Sequence, residues 1–353
     1  MSWRSAGLGL AISAIAIWLT LRSVNPGEVW QAFLAANLWL FLPVLLLLLL
    51  NVVLRAWRWK LLFLPQDQVR IVQAYAATHL SYLFSALLPG RLGELVRGFL
   101  VVESEEVSPG RALGTIFVEK LLDIAMLLLL LAGLLGLSSW RNWSSTNGTP
   151  LPGWAETNAI AIPSWAQAAG ITALAIFGSI ALTFVIMSWA RHQAVGAVRR
   201  WIDPLPLLRR LQPSHLVATA LGSADGLSRP RLLAAVLLIS VVMWVGGGFT
   251  LVVALNAFHL PVPMSAAFLL LVVTNLGMTI PSAPAYIGVY HALSVATLLL
   301  FPSVSRDQAL SYAVAIHALA FGGLSLTALF FLWTGHYRLA ELIRRSRARM
   351  RLL

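Results

Sequence analysis

Apolar residues fall along this chain in long runs rather than in the short alternations of a soluble protein. Predominantly apolar runs cover 5–21, 38–54, 110–137, 164–190, 231–256 and 309–334. A hydrocarbon core about 30 Å thick is crossed by about 20 helical residues, so each run predicts a full membrane span. Two other stretches break the pattern. Residues 71–88 are apolar, but 89–108 carry Arg91, Glu94, Arg97, Glu103, Glu105 and Glu106 and cannot face lipid. Residues 264–280 and 285–301 are separated only by Pro281, Ser282, Ala283 and Pro284, and each is short for an independent span. The pattern predicts an all-α polytopic membrane protein of about six full spans plus two broken or re-entrant helical hairpins, 71–102 and 264–301.

Composition narrows the chemistry. Of 353 residues, 59% are hydrophobic and 11% charged, and the formal net charge is +12. The positive excess sits in the gaps between apolar runs, where arginine meets anionic headgroups at a membrane surface. Placed there, it does not point to nucleic acid. With no cysteine, neither a disulfide framework nor a thiolate metal site can be drawn, and no residue spacing suggests a metal or a cofactor. The first run ends in T-L-R-S-V-N-P without a small-x-small cleavage pattern, so an uncleaved first span is expected.

Basic clusters set the expected orientation. Arg55, Arg58, Lys60 and Arg70 form one, seven arginines from Arg191 to Arg231 a second, and six from Arg338 to Arg351 a third. All three should be cytoplasmic, with both termini. The 71–102 hairpin then enters and leaves on the cytoplasmic side, and 138–163, rich in Trp, Asn, Ser and Pro, forms an extracytoplasmic loop. Residues 1–137 make a first membrane repeat and 164–335 a second, with a cytoplasmic linker at 191–230 carrying an amphipathic surface helix and a basic tail at 336–353. Parity leaves 264–301 open as a hairpin or two short full spans. If it is a hairpin, both halves read span, span, hairpin, span from opposite starting sides, an inverted-topology repeat.

Charge at membrane depth carries the candidate chemistry. Pro89, Gly90 and Gly93 are read as structural breaks that stop one helix, and a helix restarting near Arg91 puts Arg91, Glu94 and Arg97 on one face. Free amides at a helix start favour an anion, and an arginine fork can bond two phosphate oxygens. In V-E-K-L-L-D, Glu119 and Asp123 lie four apart and Lys120 falls between them. Two readings stand open: a salt-bridge network that locks this span to 91–97, or direct contact with a ligand or proton. In the second hairpin Pro281 and Pro284 break the helix, Gly288 permits close backbone approach, and Tyr286, Tyr290 and His291 place polar tips beside the break. A proline-kinked hairpin with packed tyrosines is the alternative there. His79, His291 and His317 are scattered in the sequence, and His79 and His317 are expected to be hydrogen-bonded packing residues.

The ordered trio L-L-P-G-R-L-G-E-L-V-R, S-P-G-R-A-L-G-T-I-F-V-E-K-L-L-D and T-I-P-S-A-P-A-Y-I-G-V-Y-H resembles the lysylphosphatidylglycerol synthase transmembrane family, also described as flippase-like, over most of the chain. The family's L-P-G-R-x-G-E core matches Leu88 to Glu94, with Arg97 following. Its E-R-x-x-D element matches Glu119 to Asp123, with Lys120 in place of the arginine. Its third motif, P-x-x-P-G-x-x-G before an acidic residue or glutamine, is met by Pro281, Pro284 and Gly288, with Ala285 for the glycine and His291 near the acidic place. The resemblance implies lipid translocation without aminoacyl transfer, since the synthases' soluble domain has no counterpart in this sequence. The expected function is a bacterial-type inner-membrane flippase or translocase. Arg91 and Arg97 receive the phosphate of an anionic phospholipid or polyprenyl-phosphate-linked lipid, and Glu94, Glu119, Lys120 and Asp123 position them. A lipid synthase or glycosyltransferase is compatible as a partner. The alternatives are a secondary transporter of a small anion and a membrane enzyme acting on a lipid-linked phosphate, for which no nucleophile and base stand at convincing spacing.

Overall fold

A computed structural model of the chain describes residues 3–22, 24–87, 92–105, 107–147, 152–158, 213–279 and 282–334, with 167, 168, 170–172, 174–176, 178, 179, 182, 186 and 190–202. Among these residues every regular element is helical. In order they are α1 (Trp3–Leu21), α2 (Pro26–Leu34), α3 (Phe41–Phe63), α4 (Ile71–Leu87), α5 (Leu92–Glu105), α6 (Pro109–Asn147), α7 (Gly153–Asn158), α8 (Arg191–Trp201), α9 (Pro213–Leu221), α10 (Pro230–Ala257), α11 (Met264–Gly277), α12 (Val289–Leu298) and α13 (Arg306–Trp333). Pro89, Gly90, Arg91 and Pro281, together with the basic tail, lie outside the described residues.

Local chemistry starts several of these helices. The Asn25 side chain accepts from the Gly27 amide at 3.0 Å ahead of Pro26, and Ser108 Oγ accepts from the Arg111 amide at 3.3 Å ahead of Pro109. Both are side-chain caps with proline in the first turn, where its missing N–H costs nothing. At α13, Ser305 Oγ accepts from the Gln308 amide at 3.2 Å and Gln308 Oε1 accepts from the Ser305 amide at 3.0 Å, a reciprocal capping box.

Four stretches among the described residues, Leu38–Phe63, Pro109–Asn142, Pro230–Ala257 and Arg306–Trp333, are long and apolar enough to cross a membrane. On α3 the outward face is itself apolar: Leu42, Leu46, Leu50, Val53 and Trp57 recur at helical spacing and are all exposed. Its inward face carries Val44, Val52, Ala56, Trp59, Leu62 and Phe63. A helix apolar on both faces suits lipid, because water would select a polar outer face. The chain is a polytopic all-α membrane protein.

The hairpin helices are shorter. At 1.5 Å per residue, α11 and α12 are about 21 Å and 15 Å long, and neither alone reaches across the hydrocarbon. They pack side by side, as do α4 and α5. Among the described residues, two large hydrophobic cores organise the bundle beside a smaller one around Leu131, Trp244 and Val272. One gathers Trp59, Phe63, Leu80, Val101, Val118, Val236 and Ala328 around α4 and α5. The other gathers Val44, Leu255, Leu270, Leu298 and Tyr312 around α11 and α12. Because α3, α10 and α13 contribute to both, the two hairpins occupy opposite ends of these three helices. The turn at Pro284–Tyr286 reaches α4 of the other hairpin.

Several boundaries differ from the sequence reading. Helix α3 does not stop at residue 54 but continues to Phe63, which places Arg55, Arg58 and Lys60 on a helix rather than in a loop. Helix α6 runs past Leu137 to Asn147, and α7 lies within the segment read as a loop. Helix α2 was not anticipated, being short and opened by the polar residues Asn25, Pro26 and Glu28. Gly93 is not a break: it sits in the first turn of α5, where a Cβ would run into the Ser81 carbonyl oxygen and Ser85 of α4. Within residues 191–230, α8 carries Arg199 and Arg200 in its last turn, while α9 packs on α6.

Candidate functional site

Three pairs of charged residues lie at helical spacing, Arg55 and Arg58 on α3, Glu94 and Arg97 on α5, and Glu119 and Asp123 on α6. Residues three or four apart share a helix face, and these faces turn toward one another. Arg58 Nη2 lies 2.6 Å from Asp123 Oδ1, and Arg55 Nη1 lies 3.0 Å from Asp123 Oδ2 and 3.1 Å from Glu119 Oε1. Arg97 Nη2 reaches Glu119 Oε2 and Glu94 Oε2, each at 3.1 Å. Lys120 Nζ then holds the other Glu94 oxygen at 2.6 Å. Helix α10 closes the floor: Trp244 Nε1 donates to Asp123 Oδ1 at 3.2 Å, and Ser240 Oγ accepts from Arg58 Nη1 at 3.0 Å. The Arg97 guanidinium stacks 4.3 Å over the Trp59 ring, whose Nε1 donates to Thr115 Oγ1 at 3.2 Å.

Burial divides this network. The side chains of Arg58 and Glu119 are fully buried and that of Arg97 is 1% exposed, whereas Arg55, Glu94 and Lys120 are 15%, 27% and 29% exposed. It therefore has a dry floor and an accessible rim. Among the described residues, four cations (Arg55, Arg58, Arg97, Lys120) meet three carboxylates (Glu94, Glu119, Asp123), which leaves one positive charge in excess. The Nε atoms of Arg55, Arg58 and Arg97 are buried without a hydrogen-bond partner. A net cation in a low-dielectric site favours an anion strongly, and guanidinium groups suit oxyanions by geometry.

The second hairpin builds a different centre. Ala285, Tyr286 and Gly288 adopt φ of 56°, 58° and 90°, the left-handed region that only glycine occupies without strain. His317 Nε2 lies 2.8 Å from the Ala285 carbonyl oxygen, and the Gly288 amide donates to His291 Nδ1 at 3.4 Å. The His317 ring lies 4.8 Å from His291 and 4.9 Å from Tyr290. Helix α1 seals the break, with Ser13 Oγ accepting from the Ala283 amide at 2.8 Å. A Cβ on Gly288 would press on the Ser13 carbonyl oxygen at 2.6 Å. Gly288→Ala, combining this contact with left-handed strain, is expected to destabilise the protein by about 1–3 kcal/mol. A lowered thermal midpoint of the purified protein checks it.

The family model for the lysylphosphatidylglycerol synthase TM region matches residues 7–343. The chain belongs to that family. Family membership ties the protein to lipid metabolism or translocation at a membrane, and the match takes in both the charge network and the second break. No curated protein and no solved structure matches.

Of the site residues expected from sequence, the structure brings together Glu94, Arg97, Glu119, Lys120 and Asp123 in the network, and sets Pro284, Tyr286, Gly288, Tyr290 and His291 around the second break. Arg91 lies outside the described residues. Two expectations need correction. Arg55 and Arg58 do not meet headgroups in a loop: the apolar pattern of α3 continues through them, and Asp123 and Glu119 supply partners that make their burial tolerable. Lys120 pairs with Glu94 on α5, because the arginines already occupy both carboxylates of its own helix. His291 and His317, scattered in sequence, are adjacent in space. His79 does pack as expected, beside Tyr75 with a 2.8 Å hydrogen bond to Thr327 Oγ1. Lys60 and Arg70 line a cleft with Ile71 and Val72, basic and apolar groups together as at a membrane interface.

Sequence reasoning missed Arg55, Arg58, Trp59, Ser240 and Trp244. For the arginines a signal existed: three-residue spacing inside an apolar helical pattern that runs on to Phe63. Nothing in the sequence pointed to Ser240 and Trp244, which reach the site from the other half of the chain.

Proposed function

We propose that this chain translocates an anionic membrane lipid and receives the phosphate of its headgroup at the rim of the network formed by α3, α5 and α6. The uncompensated positive charge beneath an accessible rim is the observation that carries this reading. A lipid phosphate would offset that charge while its acyl or prenyl chains stayed in the bilayer, against the apolar outer faces of the helices. Arg97 is the central ligand, held by Glu119 and backed by Trp59; Arg55 and Lys120 flank it.

Hairpins at opposite ends of α3, α10 and α13 support an inverted-topology repeat, in which rocking of one half against the other moves a bound headgroup across the midplane. In this reading both termini face the cytoplasm of a bacterial-type inner membrane, and the strained turn at 284–288 is the hinge of the second hairpin. No bond is made or broken in the lipid.

Reconstitution into liposomes containing fluorescently labelled phosphatidylglycerol tests the proposal, with leaflet accessibility read by a membrane-impermeant quencher. The intact protein is expected to make inner-leaflet label accessible, and Arg97→Gln to abolish at least about 90% of that rate, as loss of a charge-assisted bidentate contact would. An unchanged rate in Arg97→Gln would sink the proposal.

A further inference from the structure

Glu94 is placed unlike the other two carboxylates. Glu119 and Asp123 belong to the buried floor and are tied to Arg55 and Arg58, whereas Glu94 is more than a quarter exposed and makes its ion pairs at the rim. Its two oxygens are divided between two cations, Lys120 Nζ at 2.6 Å and Arg97 Nη2 at 3.1 Å. A carboxylate bridging a lysine and an arginine mimics an oxyanion held by two of its oxygens. Arg97 has other support, Glu119 and Trp59, so removal of Glu94 does not strand it, and Lys120 is 29% exposed and left facing solvent.

From this geometry we infer that Glu94 is a tethered competitor for the headgroup: its carboxylate occupies the position in which a phosphate docks between Lys120 and Arg97, and it swings away from both cations into solvent as the phosphate enters. The inference rests on the phosphate-binding reading above and assigns Glu94 a role opposite to that of a residue that merely orients Arg97. The exchange is balanced in charge. With Glu94 turned away, four cations face two carboxylates, and a singly charged phosphodiester restores the one-charge excess of the unliganded network. Neither state buries an additional net charge, which a water-poor interior penalises. Competition of this kind weakens binding and thereby speeds release, which suits a carrier that must let its cargo go.

The test is binding to the full chain in detergent micelles, using phosphatidylglycerol in one arm and inorganic phosphate in the other, for the unaltered protein, Glu94→Gln, Glu94→Asp and Arg97→Gln. Glutamine keeps the size of the side chain but cannot compete as an anion, so Glu94→Gln is expected to bind about tenfold more tightly. Glu94→Asp, shorter and still charged, is expected to fall between the two, and Arg97→Gln to lose binding. A thermal midpoint for each variant confirms that it is folded. If Glu94→Gln instead binds as weakly as Arg97→Gln, or no differently from the unaltered protein, the competitor role is overturned while phosphate binding stands. If no protein binds either probe, both readings fall. If inorganic phosphate alone binds and tightens in Glu94→Gln, the competitor role is supported and the ligand is a soluble anion rather than a lipid.

Discussion

Asp123→Ala is expected to destabilise the protein by about 3–5 kcal/mol, the cost of stranding a buried cation whose partner has been removed. Asp123 accepts from Arg58 at 2.6 Å, from Arg55 at 3.0 Å and from Trp244 at 3.2 Å. Arg58 is completely buried, and its remaining partners are Ser240 at 3.0 Å and the more distant Glu119 at 3.5 Å. Alanine therefore leaves a guanidinium in a dry site, raises the excess from one positive charge to two, and opens a void at the junction of α3, α6 and α10. The thermal midpoint of the purified protein is the readout. Converting Arg58 to methionine in the same chain should recover much of the loss, because a buried apolar side chain needs no counter-charge. A midpoint unmoved by Asp123→Ala would mean that the network is solvated and contributes little to the fold.

The next largest effect is expected at Gly93. A side chain here meets backbone, the Ser81 carbonyl oxygen, rather than the flexible end of a side chain, so relief requires α5 to move away from α4. Gly93→Val is expected to cost about 3 kcal/mol, the upper end of overpacking penalties. Because Glu94 follows directly and Arg97 lies one turn further, the displacement should also weaken anion binding. Gly93→Ala should show the same two effects in smaller measure. Binding retained at full strength in a destabilised Gly93→Val would separate the site from the α4–α5 contact.

These expectations show where sequence was informative and where it was not. The membrane fold was legible because hydropathy acts locally: a run of apolar residues needs no knowledge of its neighbours to be read as a span, and α10 and α13 follow from it closely. The short hairpin helices were legible for the same reason, since 264–280 and 285–301 lack the length to cross. The face shared by Glu94 and Arg97, and that shared by Glu119 and Asp123, came from helical spacing alone. What local rules could not give was pairing across the chain. A basic cluster at the end of an apolar run ordinarily marks a cytoplasmic loop, and Arg55 and Arg58 depart from that rule only because carboxylates on α6 and a hydroxyl on α10 are turned toward them. The meeting of His291 with His317 likewise depends on how α12 packs against α13.

The central claim is that a lipid phosphate binds where α3, α5 and α6 bring their charges together. Mass spectrometry of the lipids that remain with the gently purified protein tests it most directly, comparing the unaltered chain with Arg97→Gln. The account predicts an anionic phospholipid or polyprenyl phosphate enriched over the bulk membrane in the first and lost in the second. The same bulk-like lipid profile in both would contradict it and leave the network as a structural clamp.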